Sequence, residues 1–242
     1  MNEIYHSIFI DELQDYAGWD LELFKTLFES SINIYCVGDN KQATFRTNNS
    51  IKNKQYRDDK IIGYFKLLEK KGNCNVEYSN ITRRFNQEIC DYINLIHEDQ
   101  SNPVIPDSCL NEIVDNTGVY IIDEKFMDTY CECFKPIILR YNITVNIPFE
   151  YNSQVLNYGA SKGCTFDRIA IIPPATVIPF ITSLNKIISN QTRSKFYVAC
   201  TRAKHSIVFV MKNAIENELF SPVTIEVDGK SIPAFKFKKL QE

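Results

Sequence analysis

Four stretches of the 242-residue sequence carry residue types able to handle phosphate esters and metal-bound water. The first, Ile8 to Asp15, reads IFIDELQD: an apolar run that delivers two adjacent carboxylates, Asp11 and Glu12, to its carboxyl end, where open α/β sheets place their ligands. One carboxylate can hold magnesium while the other polarises water. After the next apolar run comes Val37-Gly38-Asp39-Asn40-Lys41-Gln42, where Gly38 permits a tight turn and Gln42 can donate an amide hydrogen bond to a phosphate or an attacking water. Further on, Gly159 to Asp167 (GASKGCTFD) sets small residues beside Lys162, a composition suited to close approach of phosphates. The last, Lys195 to Lys204 (KFYVACTRAK), looks helical and holds Arg202, which could stabilise charge during phosphoryl transfer as an arginine finger. Each stretch alone also fits a plain reading: a solvated strand end, an ordinary loop, a glycine turn.

These residues need a scaffold, and the hydrophobic pattern supplies one. Ser7 to Ile10 and Ile32 to Val37 read as strands flanking a helix marked by Leu21, Phe24, Leu27 and Phe28. Asn48 to Arg57 is polar and reads as an exposed loop, followed by a helix from about Lys60 to Lys70. A helix over Arg84 to Ile96 precedes a connector at Gln100 to Ser108, broken by Pro103 and Pro106. Val119 to Ile122, Pro136 to Leu139, Arg168 to Ile172 and Ser206 to Met211 are continuous apolar runs, which predicts a sheet covered on both faces. Val177 to Ile188 fits a helix between the last two. Strands alternating with helices predict an α/β parallel-sheet architecture, with a hairpin around Asp228-Gly229 appended at the end.

Composition bounds the function classes. With 44% hydrophobic and 24% charged residues the chain can bury a sizeable core. A net charge of -3 argues against a wholly basic surface but leaves room for a local basic groove, so charge neither supports nor excludes DNA binding. The eight cysteines, Cys36, Cys90, Cys164 and Cys200 among them, sit mostly in apolar or helical runs and read as reduced, buried thiols. His6, His97 and His205 do not complete a zinc pattern with them. No run approaches the roughly 20 apolar residues that span a bilayer, and no basic-then-apolar leader is visible, so the expected location is cytoplasmic, away from membranes.

Taken together and in order, the four stretches resemble motifs II, III, V and VI of the UvrD/Rep group of superfamily 1 helicases. Thr82 to Ile89 (TRRFNQEI) resembles motif IV of the same group, with Arg84 at its phosphate-contacting arginine. The resemblance extends over most of residues 7 to 211. It implies a RecA-like P-loop NTPase fold: an incomplete first RecA-like domain over residues 1–72, a complete second RecA-like domain with a parallel sheet over 73–220, and a hairpin tail over 221–242.

The resemblance further implies an ATP-driven motor on single-stranded DNA, with ATP and Mg2+ as cofactors. Asp11 would coordinate magnesium, Glu12 would activate the attacking water, and Gln42 would sense the γ-phosphate. Arg84, Arg202 and Gly163 would join Asp11 and Gln42 around the nucleotide. Phe45 would stack on bases, and Arg46, Ser161 and Lys162 would lie near the DNA backbone. The pattern departs from the group at Gly159 and Thr165, where histidine and glutamate are usual, which puts the usual ribose contact in doubt. No G-x-x-x-x-G-K-[ST] loop occurs in the sequence. Negligible ATP hydrolysis by this chain alone is therefore expected, with activity restored by a segment or subunit bearing a Walker A loop; a partner nuclease is compatible. A non-catalytic adaptor or decoy that binds DNA or a helicase is the alternative. An incomplete first domain would leave apolar surface exposed around Ile8 to Ile10 and Ile34 to Val37.

Overall fold

The computed structural model describes residues 4–97, 104–185, 187 and 189–239. The chain divides into two compact units, one ending at Ser79 and one beginning at Asn80.

In the first unit β1 (Ser7–Ile10) and β2 (Asn33–Cys36) pair in parallel, Ser7 opposite Asn33 and Ile10 opposite Cys36. A parallel pair needs a crossover, supplied here by α1 (Asp20–Phe28). Leu21, Phe24 and Phe28 fall on one face of α1 and pack against Ile61, Phe65 and Leu68 of α2 (Ile61–Lys70). The Phe24 and Phe65 rings meet edge to face at 5.5 Å. The Tyr64 hydroxyl donates to the Leu21 carbonyl at 2.5 Å and so pins the two helices together. Beyond α2 the chain turns back: Cys74 donates to the Phe65 carbonyl, Val76 N–H donates to Glu69 Oε1 at 2.7 Å, and both side chains join this core. That return carries the first unit to Ser79, past the expected break near Asn73.

The opposite face of the β1–β2 pair is bare. Phe9 and Tyr35 are cross-strand partners whose rings stack at 5.0 Å, yet Phe9 is 77% and Tyr35 53% exposed, and Val37 is exposed beside them. Ile8, Ile10 and Ile34 are half-buried. The apolar surface expected here is present, concentrated on every second residue as the pleat dictates.

The second unit runs β3 (Ile81–Thr82), α3 (Gln87–Ile96), β4 (Asp107–Ser108), β5 (Gly118–Asp123), α4 (Met127–Phe134), β6 (Ile137–Arg140), β7 (Val155–Asn157), β8 (Phe166–Ile172), α5 (Ile178–Ser183), α6 (Asn190–Cys200), β9 (Ala203–Met211), β10 (Phe220–Val227) and β11 (Lys230–Phe237). A seven-stranded sheet has the order β10-β11-β5-β9-β8-β6-β7, with β5, β9, β8, β6 and β7 parallel and the β10–β11 hairpin antiparallel at one edge. This is the mostly parallel α/β sheet the apolar runs predict.

Side chains alternate across the sheet. Val119, Ile121, Ile169, Ile171, Ile207 and Phe209 face a core shared with α3, α5 and α6; Tyr120, Ile122, Ala170, Ile172, Val208 and Val210 face a second core with α4. Both faces are covered, which is why these strands read as unbroken apolar runs.

Several boundaries differ from the sequence reading. The helix expected over Val177 to Ile188 stops at Ser183, because Leu184 adopts a left-handed conformation (φ 54) and its N–H closes on the Phe180 carbonyl; residues 186 and 188 lie outside the described residues. The helix expected over Lys195 to Lys204 starts earlier, at Asn190, capped by the Ser189 hydroxyl, and ends at Cys200, so that Ala203 and Lys204 already belong to β9. Of the connector Gln100 to Ser108, residues 100–103 lie outside the described residues, and Asp107–Ser108 pairs with β3. The hairpin is no appendage: Phe235 and Lys236 pair with Ile121 and Tyr120, making it the sheet's edge. Its two turn residues, Asp228 (φ 50) and Gly229 (φ 72), are both left-handed, as the tightest hairpins require.

All eight cysteines are free thiols. Burial pushes the Cys36 thiol up to about 11 and those of Cys90 and Cys131 up to about 12, which fits inert packing residues.

Candidate functional site

The carboxyl ends of β1 and β2 form the first cluster. Pairing continues past the strands, with Val37 N–H donating to Ile10 O at 2.9 Å and Leu13 N–H to Val37 O at 3.0 Å. Between them the chain must reverse sharply, and Glu12 takes the left-handed conformation (φ 53, ψ 43) that lets it do so. For a residue with a Cβ this costs about 1 kcal/mol or more, strain of a kind that collects at functional sites. Glu12 N–H donates to Asp11 Oδ1 at 2.7 Å, and Asp11 itself is exposed.

Gln14, on the turn that follows, is 3% exposed. Its Nε2 donates to Glu12 Oε2 and its Oε1 accepts the Asp39 N–H at 3.0 Å. Asp39 in turn accepts from Lys41 N–H at 3.0 Å and from Gln42 Nε2 at 2.9 Å. Gly38 has a different reason from the tight turn expected: a Cβ there would lie 2.6 Å from Gln14 Oε1 and 2.9 Å from the Leu13 backbone nitrogen. Lys41 is buried, and desolvation pulls its ammonium pKa down against the Asp39 carboxylate, which raises it.

Asp11, Glu12 and Gln42 are thus brought together, and the sequence reading missed Gln14 and Asp39, which join them. The short spacing from Glu12 to Gln14 was the available signal. Phe45 is 62% exposed, while the Arg46 guanidinium forms a two-pronged pair with Asp58, both bonds 2.8 Å long.

The second unit gathers its motifs around Arg202. This side chain is 1% exposed and the largest wholly buried one. Its Nε donates to Val198 O at 2.9 Å, Nη1 to Cys164 O at 3.2 Å and Nη2 to Thr201 Oγ1 at 2.8 Å, and Arg202 O accepts from Phe166 N–H at 2.8 Å. The guanidinium therefore fastens the Gly159–Asp167 loop to the end of α6. Ser161 is fully buried, donating to Tyr158 O at 2.8 Å; Lys162 is half-buried; and Gly163, exposed, has φ +82, where only glycine is unstrained.

Arg84 is half-buried, just before α3. Asn86 caps that helix by accepting the Ile89 N–H at 3.0 Å, and its Nδ2 donates to His205 O at 2.7 Å. Asn86 N–H donates to Lys204 O at 3.1 Å, which ties the start of α3 to the start of β9 in one corner of the unit. Asn86 escaped the sequence reading, although an asparagine ahead of a helical run is a capping signal.

His205 lies in the same corner, 8% exposed at its side chain, with Nε2 3.5 Å from Glu112 and 3.9 Å from Asp167. Burial and the Lys204 ammonium push its pKa below 6.5, outweighing the two carboxylates. A depressed folded-state pKa means its contribution to stability is complete above about pH 6.5 and is lost as the pH falls toward the folded value. Urea midpoints measured from pH 7 down to pH ~5 should therefore fall more steeply for the wild type than for His205→Phe. Parallel slopes would mean His205 carries no such linkage.

The resemblance to the helicase group implies magnesium. Among the described residues no cluster of three or more His, Cys, Asp or Glu could form an all-protein metal cage. Magnesium is usually held by one or two carboxylates together with substrate phosphates and water. Exposed Asp11, with Oδ1 accepting one backbone N–H, fits that mode.

Asp11 and Glu12 stand at the carboxyl end of a parallel strand, the end at which open α/β sheets place their ligands. Residues 1–61 match the family model of the UvrD/REP helicase N-terminal domain. No curated protein matches the chain. Among solved structures, a PRRSV helicase is similar at 18% identity and a TM-score of 0.46 over 96% of this chain and 43% of that one. An arterivirus nonstructural protein 10 (helicase) is similar at 16% identity and a TM-score of 0.49 over 84% and 38%. The chain spans less than half the length of these structures. No helix among the described residues is long and apolar enough to cross a membrane.

Proposed function

We propose that the chain is part of a UvrD/Rep-like superfamily 1 motor that couples MgATP hydrolysis to movement along single-stranded DNA. The observation that carries this is the convergence of Asp11, Glu12 and Gln42 at the carboxyl ends of two parallel strands, linked by hydrogen bonds, within the segment matched by the helicase family. In this reading the units correspond to portions of two RecA-like domains. MgATP supplies the γ-phosphoryl group and the charge-neutralising metal. Asp11 holds the metal, Glu12 orients and deprotonates the attacking water, and Gln42 reports the presence of the γ-phosphate. Arg84 is assigned to phosphate contact, and Gly163 lies in the loop that Arg202 fastens. Phe45 stacks on a base, and Arg46 and Lys162 lie along the backbone of the strand. A segment or subunit with a Walker A loop completes the phosphate cradle.

A specific observation favours a second reading. Arg202 is spent on protein acceptors in a buried site, which is what a non-catalytic DNA- or helicase-binding adaptor would tolerate. The deciding experiment is ATP hydrolysis with oligo(dT) and magnesium at low salt. The full chain is assayed alone and with a Walker A-bearing polypeptide of a UvrD/Rep helicase, as wild type and Glu12→Gln. Hydrolysis in the mixture that falls on the order of 100-fold or more in Glu12→Gln supports the motor. Oligo(dT) binding with no hydrolysis in either mixture supports the adaptor, and hydrolysis indifferent to Glu12→Gln removes the assigned role of Glu12.

A further inference from the structure

We propose that Gln14 is a positioning residue that ties the aim of the Glu12 carboxylate to the state of the loop carrying Gln42, so that occupancy at Gln42 regulates Glu12. This rests on the ATP-hydrolysing reading above, since it concerns the regulation of the same site.

The argument begins with the polarity of an amide. A primary amide donates from nitrogen and accepts at oxygen, and both ends of Gln14 are used: Nε2 donates to Glu12 Oε2, and Oε1 accepts the Asp39 N–H at 3.0 Å. Flipping the amide would set oxygen against a carboxylate and NH2 against an N–H. One orientation is therefore fixed by its neighbours on both sides. Burial to 3% removes water as a substitute partner, and Gly38 provides the space in which the amide oxygen sits.

The relay continues from Asp39. The same residue whose N–H meets Gln14 accepts Gln42 Nε2 at 2.9 Å through its carboxylate. A ligand that draws the Gln42 amide away from Asp39 removes one of the bonds that hold the Asp39 loop, and any shift of that loop is passed by Gln14 to Glu12. Gln14 touches no reacting atom in this scheme; it acts through Glu12.

The test uses the full chain and NMR of the Asp39 backbone N–H and the Gln42 side-chain amide. Glu12→Gln is introduced into the wild type and into Gln14→Met, which keeps the length of the side chain and removes both hydrogen bonds. Glu12→Gln should displace both resonances in the wild type and move them at least about fivefold less when Gln14 is Met. Gln14→Leu also removes both hydrogen bonds, so it too should lose transmission, and it reads the coupling should the Met variant fold poorly. Equal displacement with and without Gln14, or none in either, overturns the proposal. MgATP hydrolysis on the same samples, with the Walker A-bearing polypeptide, separates the two ideas. Transmission without hydrolysis in the wild type removes the ATPase reading and leaves the coupling, whereas hydrolysis with no transmission removes the coupling alone.

Discussion

Replacing Arg202 by alanine is expected to destabilise the second unit by about 3 kcal/mol or more, enough to unfold much of it under mild denaturant. The guanidinium is wholly buried, and its loss removes three hydrogen bonds, among them the one to the Cys164 carbonyl that ties the loop to α6, besides opening a cavity between α6 and the Gly159–Asp167 loop; the Thr201 hydroxyl still bonds the Val198 carbonyl. Arg202→Lys should recover little, because a single ammonium cannot reproduce three donors spread in a planar fork. Urea denaturation followed by far-UV circular dichroism measures the loss. A midpoint unchanged in Arg202→Ala would show that this network is not what holds the loop, and would return Arg202 to consideration as a group whose work is done on a ligand.

The second large effect is expected from Gly38→Val. A Cβ at this position meets Gln14 Oε1 at 2.6 Å, Leu13 Cβ at 2.8 Å and Leu13 N at 2.9 Å, and since one of these is backbone the clash cannot be relieved by rotating a side chain. Overpacking of this kind costs about 1–3 kcal/mol. It should push the turn after β1 away from the Asp39 loop and break the Gln14–Asp39 bond. Trp19, the sequence's one tryptophan, lies in the first unit, so its fluorescence in a urea titration follows that unit. A titration indistinguishable from wild type would mean the turn accommodates the methyl groups elsewhere.

Much of the architecture was legible because it rests on simple periodicities. The strand at Ser7–Ile10, the Ser206–Met211 part of β9 and the helix at Ile61–Lys70 announce themselves through runs of apolar residues or apolar residues at helical spacing. What was not legible has identifiable causes. The helix Met127–Phe134 is short, and alternating polar residues dilute its apolar face; the strand Val155–Asn157 is three residues long, too brief for any pattern. The end of the helix before Arg202 was overrun because Thr201 and Arg202 form a tight turn that no glycine or proline marks.

The site was half legible for a similar reason. Residue type exposed Asp11, Glu12 and Gln42, since carboxylates after an apolar strand carry their own signal. Gln14 and Asp39 act only through the geometry that folding creates. Burial, likewise invisible in the residue letters, sets the side chains of Arg202 and Ser161 against protein acceptors.

The edge position of the β10–β11 hairpin bears on how the chain is made. During synthesis β5 emerges well before residues 230–237, so the side of β5 that will receive β11 is an unprotected template until the hairpin leaves the ribosome. In that interval a nascent chain can recruit a neighbour's strand in place of its own. Yield in cells should therefore depend on how quickly this stretch is translated, and slow codons placed just ahead of the hairpin would favour inclusion bodies over native protein.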